Sequence, residues 1–326
     1  MPGFQRLVLC VCGIVLAGAL AGCGGGGNND AAIVQVATPL PTATPLPAGA
    51  TAPLGASPTS TATATPELVL SALEVYQAGA ILVSVTGGVS SGTVDFLGRE
   101  YPLTKGAQSM FSFVGVDTED PTGPQPLKVN FVTPNGTKGS LTDTVQVLKT
   151  EWTVDSLQFD SATSALLDPA IVNAELAELH GIYTKVTPDK LWAGSWIAPV
   201  DAPPTARYGE QRSINGSAPS GHHGGTDLGA PEGTPVKAAN SGRVVLARHM
   251  QVRGNMVIID HGGGLYSGYC HMSSLGVAEG QLVQQGEVLG LSGNTGLSTG
   301  AHLHWEMAID GILLDALRFT DGTNGV

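Results

Sequence analysis

The 326-residue chain carries 15 Lys and Arg against 27 Asp and Glu, a formal charge of −12, so neither a nucleic-acid backbone nor an anionic lipid surface is an electrostatic match for it. Its 45 glycines, 21 prolines and only 13% charged residues favour many turns and short strands over long helices. The length suits about two domains with a mainly β interior.

In chain order, Arg6 precedes an uncharged run from Leu7 to Leu20, too short to span a bilayer comfortably and of the size of a signal-peptide core. The run ends in "LAGC", Leu20 to Cys23, which resembles the lipobox of bacterial lipoproteins. That resemblance implies a signal peptide over 1–22, lipidation of Cys23, export, and a lipid anchor on the outer face of the bacterial cell membrane. Ordinary cleavage with Cys23 incidental is the alternative. On the lipoprotein reading Cys10 and Cys12 leave with the signal and Cys23 is acylated. Only Cys270 then remains, and no intramolecular disulfide is possible. From Cys23 to residue 66 the chain reads "GGGGNND" and then a Pro/Thr/Ala tract, which cannot bury a core and is expected to be a disordered spacer.

Residues 67–150 hold β-rich runs such as "AILVSVTG", "GTVDFLGREYPL", "MFSFVGVD" and "PLKVNFVTP", separated by turn signals including "TGG" and "PNG". Lys128-Val129-Asn130-Phe131-Val132 alternates as a half-buried strand does. The spacing predicts a small immunoglobulin-like β-sandwich. No histidine or cysteine lies between Cys23 and His180, so a binding or spacer role is the default for this part.

Residues 151–200 predict a helical connector followed by an extended strap. In "LDPAIVNAELAELHG", Asp168 is the N-cap, Pro169 the first helical position and Gly181 the stop. Ile171, Ala174, Leu179 and Ile182 recur at helical spacing. His180 sits at the C-terminal end, where positive charge is favoured. The two tryptophans of "LWAGSW" are expected to pack against the next domain.

From residue 201 to 326 the texture changes, and seven of the eight histidines fall between His222 and His304. His223 and Asp227 are four apart with two glycines between them, which argues for a tight loop entering a strand rather than a helix. His302 and His304 are two apart in a strand, so both project from one face while Leu303 and Trp305 take the other. Tyr269 and His271 have the same spacing, and His261 before three glycines reads as a turn residue. Each signal alone has a plain alternative: a surface His/Asp pair, or a polar strand face. Together, two imidazoles and a carboxylate complete a three-ligand zinc site with one position left for water.

The segments "HGGTD", "YCHM" and "STGAHLH", with "APEGTPVKAANSGRVV" and "GQLVQQGEVLGLSGNTG", cover about residues 205–310 in order. In this the domain is similar to the lysostaphin-like, or LytM-type, zinc metallopeptidases of bacterial cell walls. The resemblance implies a compact antiparallel β peptidase domain with one Zn²⁺ held by His223, Asp227 and His304. It implies that His302 and His271 are catalytic without being ligands, and that the substrates are peptide bonds in peptidoglycan stems or cross-bridges. Met272 replaces the family's usual leucine, and Ala301 stands where proline is frequent. "RSINGSAPSG" offers no tyrosine for the oxyanion role that some relatives use, and Arg212 and Asn215 within it are candidates for lining the groove. Glu306 shares the strand face of His304; it either hydrogen-bonds that imidazole or is a solvent-exposed acid, and exposure is the expectation. Some domains of this family lose ligands and act as silent adaptors that bind wall or activate other hydrolases, which is the rival reading.

Overall fold

The computed structural model describes residues 65–322. The signal segment, Cys23 and the spacer up to residue 64 lie outside them.

Nine strands build an N-terminal sandwich: β1 (Glu67–Leu70), β2 (Glu74–Tyr76), β3 (Ala80–Thr86), β4 (Ser91–Phe96), β5 (Arg99–Pro102), β6 (Thr104–Lys105), β7 (Met110–Gly115), β8 (Gly123–Val132) and β9 (Lys138–Leu148). One sheet has the order β1-β3-β7-β6 and the other β2-β9-β8-β4-β5. All pairs are antiparallel except β2 with β9, and the arrangement is immunoglobulin-like. Alternation is the cause: Leu127 and Val129 of β8 are buried while Lys128 between them is exposed.

The connector contains β10 (Val154–Leu157), a short helix α1 (Ser161–Ser164) and helix α2 (Pro169–Tyr183). Asp168 caps α2, its Oδ1 accepting the Ala170 N–H at 2.7 Å, and Pro169 opens the helix. The helix does not stop at Gly181; it runs two residues further, because Tyr183 is buried against the next domain and holds the last turn in place. Its buried stripe is Val172, Glu175, Leu176, Leu179 and Tyr183, so of the residues picked by periodicity only Leu179 is fully buried. In the strap, Trp196 packs edge-on against His261 at 4.7 Å and Phe319 at 5.5 Å, whereas Trp192 also reaches back to Phe113 of the sandwich at 5.5 Å.

The C-terminal part comprises β11 (Pro204–Ala206), β12 (Gln211–Ile214), β13 (Ser220–His222), β14 (Thr226–Leu228), β15 (Pro235–Lys237), β16 (Gly242–Met250), β17 (Gly254–Gly262), β18 (Leu265–Met272), β19 (Ser274–Leu275), β20 (Leu282–Val283), β21 (Val288–Leu291), β22 (Leu303–Ile309), β23 (Ile312–Leu314) and helix α3 (Leu317–Thr320). Its main sheet has the order β11-β14-β22-β18-β17-β16-β20, with β23 beside β22. Two small sheets flank it: β15-β21-β19, and β10-β12-β13, which ties the connector in through the parallel pair β10–β12.

The main sheet buries both faces. On one face Leu303, Trp305, Met307 and Tyr269 join Trp192, Ile312 and the sandwich's Phe113 in a single apolar core. On the other, Leu179 and Tyr183 of α2 cover Met256, Ile258, Tyr266, Cys270 and Ala308. His304 and Glu306 belong to this second face, which is where the site is built.

Candidate active site

Strands β14 and β22 pair with Asp227 opposite His304, so the two side chains rise from one face. His304 Nδ1 lies 2.7 Å from Asp227 Oδ1. The Gly224-Gly225 turn then carries His223 back over the pair, its Nε2 3.2 Å from Asp227 Oδ1 and 3.0 Å from His304 Nδ1. The turn must be glycine at residue 225, because a Cβ there would sit 2.6 Å from His304 Nε2 and 2.7 Å from the Trp305 carbonyl oxygen.

The outer acceptors suit the tautomers that a metal would need. His223 Nδ1–H donates to the Arg207 carbonyl at 2.9 Å, and His304 Nε2–H donates to Glu306 Oε1 at 3.2 Å. In those tautomers His223 Nε2 and His304 Nδ1 turn lone pairs toward the Asp227 carboxylate, as a bound cation would require. Burial alone would raise the Asp227 carboxyl, but positive charge facing it, carried by the His223 and His302 rings when protonated or by a cation in its place, outweighs burial and holds the group well below the usual carboxylate range. Three electron-pair donors facing one another in a dry site fit a tetrahedral divalent cation. A second grouping, Cys270, His304 and Glu306, is also close enough for a cation. It competes for the His304 Nε2 that already donates to Glu306.

His302 enters through an isolated bridge to Gly293, and its Nδ1–H donates to the Gly300 carbonyl at 2.8 Å. Its Nε2 then faces the cluster, 3.7 Å from Asp227 Oδ1. His271 arrives differently. Alternation predicts it on the same face as Tyr269, but Tyr269 lies in the core on the far face, with its hydroxyl oxygen accepting the Ala239 N–H at 2.8 Å. A bulge between the Asn255–Met272 and Val257–Tyr269 pairs, with His271 at φ +60°, turns its ring onto the site face. There it stacks 4.9 Å from His302 and 5.8 Å from His304, its Nδ1–H donating to the Thr295 carbonyl at 2.7 Å.

The remaining histidines are not in the cluster. His222 donates to the Gly209 carbonyl and packs on Trp152, which leaves His223 as the residue in register with Asp227. His261 is not a turn residue: it lies in β17, buried between the Ser241 carbonyl and Ser267 Oγ, and burial pushes its pKa down to about 4.

Of the two groove candidates, Arg212 is fully buried beside the cluster, ion-paired with Asp155 of β10 and with Nη2 3.7 Å from Asp227 Oδ2. Asn215 turns to the connector instead, accepting the Phe159 N–H at 2.8 Å and donating to Ser164 Oγ at 3.3 Å. Glu306 overturns the expectation of an exposed acid. It is fully buried and receives His304, the Arg253 Nε–H at 2.9 Å and the Tyr183 hydroxyl at 2.8 Å. Burial would raise its pKa, but Arg253 dominates and holds it down at about 2. Its position two residues past His304 was the available signal.

None of the five clustered side chains is more than 2% exposed. Nearby, the connector's Leu157, Phe159, Val172 and Leu176 pack with Val252 and Leu297, with Ile214 alongside.

Residues 221–316 match the model of peptidase family M23. The peptidoglycan DD-endopeptidase ShyA of Vibrio cholerae is 44% identical over 96 residues, which are 29% of this chain and 22% of ShyA. The chain thus spans about a fifth of the length of the curated relatives it matches. The catalytic domain of the antimicrobial peptidase lysostaphin from Staphylococcus simulans is 31% identical, covering 37% of this chain and 93% of that one, with a TM-score of 0.34. A putative M23 peptidase from Pseudomonas aeruginosa is similar over 75% of this chain and 94% of its own, at 26% identity and a TM-score of 0.55. Residues 221–316 are a peptidase family M23 domain.

Proposed function

We propose that the chain is a zinc-dependent endopeptidase hydrolysing peptide bonds in peptidoglycan stems or cross-bridges. The observation that carries this is the convergence of His223 Nε2, Asp227 Oδ1 and His304 Nδ1 within 2.7–3.2 Å, with both rings donating outward. ShyA, named a peptidoglycan DD-endopeptidase, supports the substrate class.

On this reading His223, Asp227 and His304 hold one Zn²⁺. Bound there, zinc would lower the pKa of a water molecule and polarise the scissile carbonyl. His302, donating through Nδ1 to Gly300, keeps Nε2 as the acceptor for the proton of the attacking water and returns that proton to the departing amine. His271, held by Thr295, turns Nε2 to the same space and orients water or stabilises developing charge. Imidazoles titrating near neutrality suit this exchange. The sequence "LAGC" supports export and a lipid anchor at Cys23.

The silent-adaptor reading draws on the burial of the site, but retention of all three ligands and both further histidines favours the enzyme. Two measurements test the choice: metal content of the purified chain, and release of muropeptides from isolated peptidoglycan with and without chelator. Zinc retention with chelator-sensitive release is expected. Zinc without any release sinks the endopeptidase.

A further inference from the structure

We propose that Tyr183 and Glu175 of helix α2 are positioning residues of the metal site, fixing Glu306 and Arg253 and through them the orientation of His304. The inference rests on the reading that His304 holds zinc. It concerns residues that lie outside the matched span 221–316, in the connector.

Glu306 is the hub. Its Oε1 takes His304 Nε2–H at 3.2 Å and Arg253 Nε–H at 2.9 Å, and its Oε2 takes the Tyr183 hydroxyl at 2.8 Å. Arg253 is held from behind by Glu175, whose Oε1 accepts both the Arg253 backbone N–H at 3.0 Å and Nη1–H at 3.3 Å. The other Glu175 oxygen accepts the Val252 N–H at 2.8 Å. All five side chains are buried.

The charges explain why two helix residues are needed. Arg253 facing Glu306 alone would neutralise it and weaken its pull on His304. With Glu175 sharing the guanidinium, two carboxylates face one cation, and the surplus negative charge stands behind the imidazole that would carry part of the metal's charge. A carboxylate accepting the outer N–H of a ligand histidine raises its basicity and fixes its ring. Tyr183 holds the second oxygen, Oε2, and so helps keep the Glu306 carboxylate from rotating away. Burial and the neighbouring Glu306 push the Tyr183 phenol well above its usual range, so it remains a donor.

The test uses the full chain and three variants: Tyr183→Phe, Glu175→Gln and Leu179→Ala. Leu179 is buried on the same helix and brings no polar atom to the hydrogen-bonded chain, so it reports helix packing. Zinc affinity is measured by competition with a chromophoric chelator, the Co²⁺-substituted absorption spectrum is recorded, and thermal unfolding runs in parallel. Tyr183→Phe and Glu175→Gln are expected to weaken zinc roughly ten-fold or more and to change the Co²⁺ spectrum. Leu179→Ala is expected to lower the unfolding temperature and leave both metal readouts unchanged. Wild-type zinc affinity in both polar variants overturns this inference alone. A wild-type chain that binds no zinc overturns the metal reading and this inference with it.

Discussion

Asp227 stands directly across the β14–β22 ladder from His304, with Oδ1 2.7 Å from Nδ1, so strand register itself brings a carboxylate and an imidazole together. His223 needs only the short glycine turn to complete the group. Replacing His223 or Asp227 with alanine is expected to abolish zinc retention, measured as metal per chain after gel filtration. His302→Ala should keep zinc and lose muropeptide release by about 10²–10⁴-fold, the usual worth of a general base. Normal hydrolysis by that variant would remove His302 from the mechanism.

Gly225→Ala is the smallest change that should damage the site. The new methyl group would lie 2.6 Å from His304 Nε2 and 2.7 Å from a backbone oxygen, neither of which can retreat without breaking the Glu306 hydrogen bond or the ladder. A loss of about 1–3 kcal/mol in urea unfolding is expected, together with weaker zinc binding. Unchanged metal affinity would mean that the ring tolerates displacement.

Burial depresses the His261 pKa to about 4 from an ordinary 6.5. The unfolded chain therefore takes up its proton first as pH falls. The stability contributed by neutral His261 is complete above pH 6.5 and drains away between 6.5 and 4, by about 3 kcal/mol in all. Denaturant midpoints measured across this window should show the slope, and His261→Gln should remove that component. A variant with the same pH slope as the wild type would place the titration elsewhere.

All five clustered side chains are buried, so a peptide reaching them has to displace something. Ser156 of β10 stands across the parallel ladder from Ser213 of β12, where a cysteine pair would tie the connector to the domain. The double variant Ser156→Cys/Ser213→Cys should lose muropeptide release when oxidised and regain it on reduction. Full release by the oxidised form would show that substrate arrives without β10 leaving β12.

Period-two alternation made half of this site legible in the sequence. It set His302 and His304 opposite Leu303 and Trp305, and four-residue spacing selected His223 over His222. It failed at His271, because one extra residue in β18 and a left-handed backbone reverse the face, and neither has a composition signal. It failed at Glu306 because the partners that make burial tolerable, Arg253 and Tyr183, lie 53 and 123 residues away. Asn215 misled for a similar reason: it sits in the right loop, but the connector claims its amide. The helix end was set by the docking of Tyr183, which overrode the breaking tendency of Gly181.

The apolar core described above runs without a break from Phe113 through Trp192 and Ile312 to Trp305. Gly115 of the sandwich faces Ile312 and Leu314, which a Cβ at that position would meet at 3.5 Å, an ordinary packing distance. The C-terminal half is therefore not a portable cassette. A graft begun at residue 201 would leave behind Trp192 and Trp196 and present Ile312, Leu314 and Phe319 to water. Anyone transplanting this domain must carry the upstream residues with it or repaint that face with polar side chains.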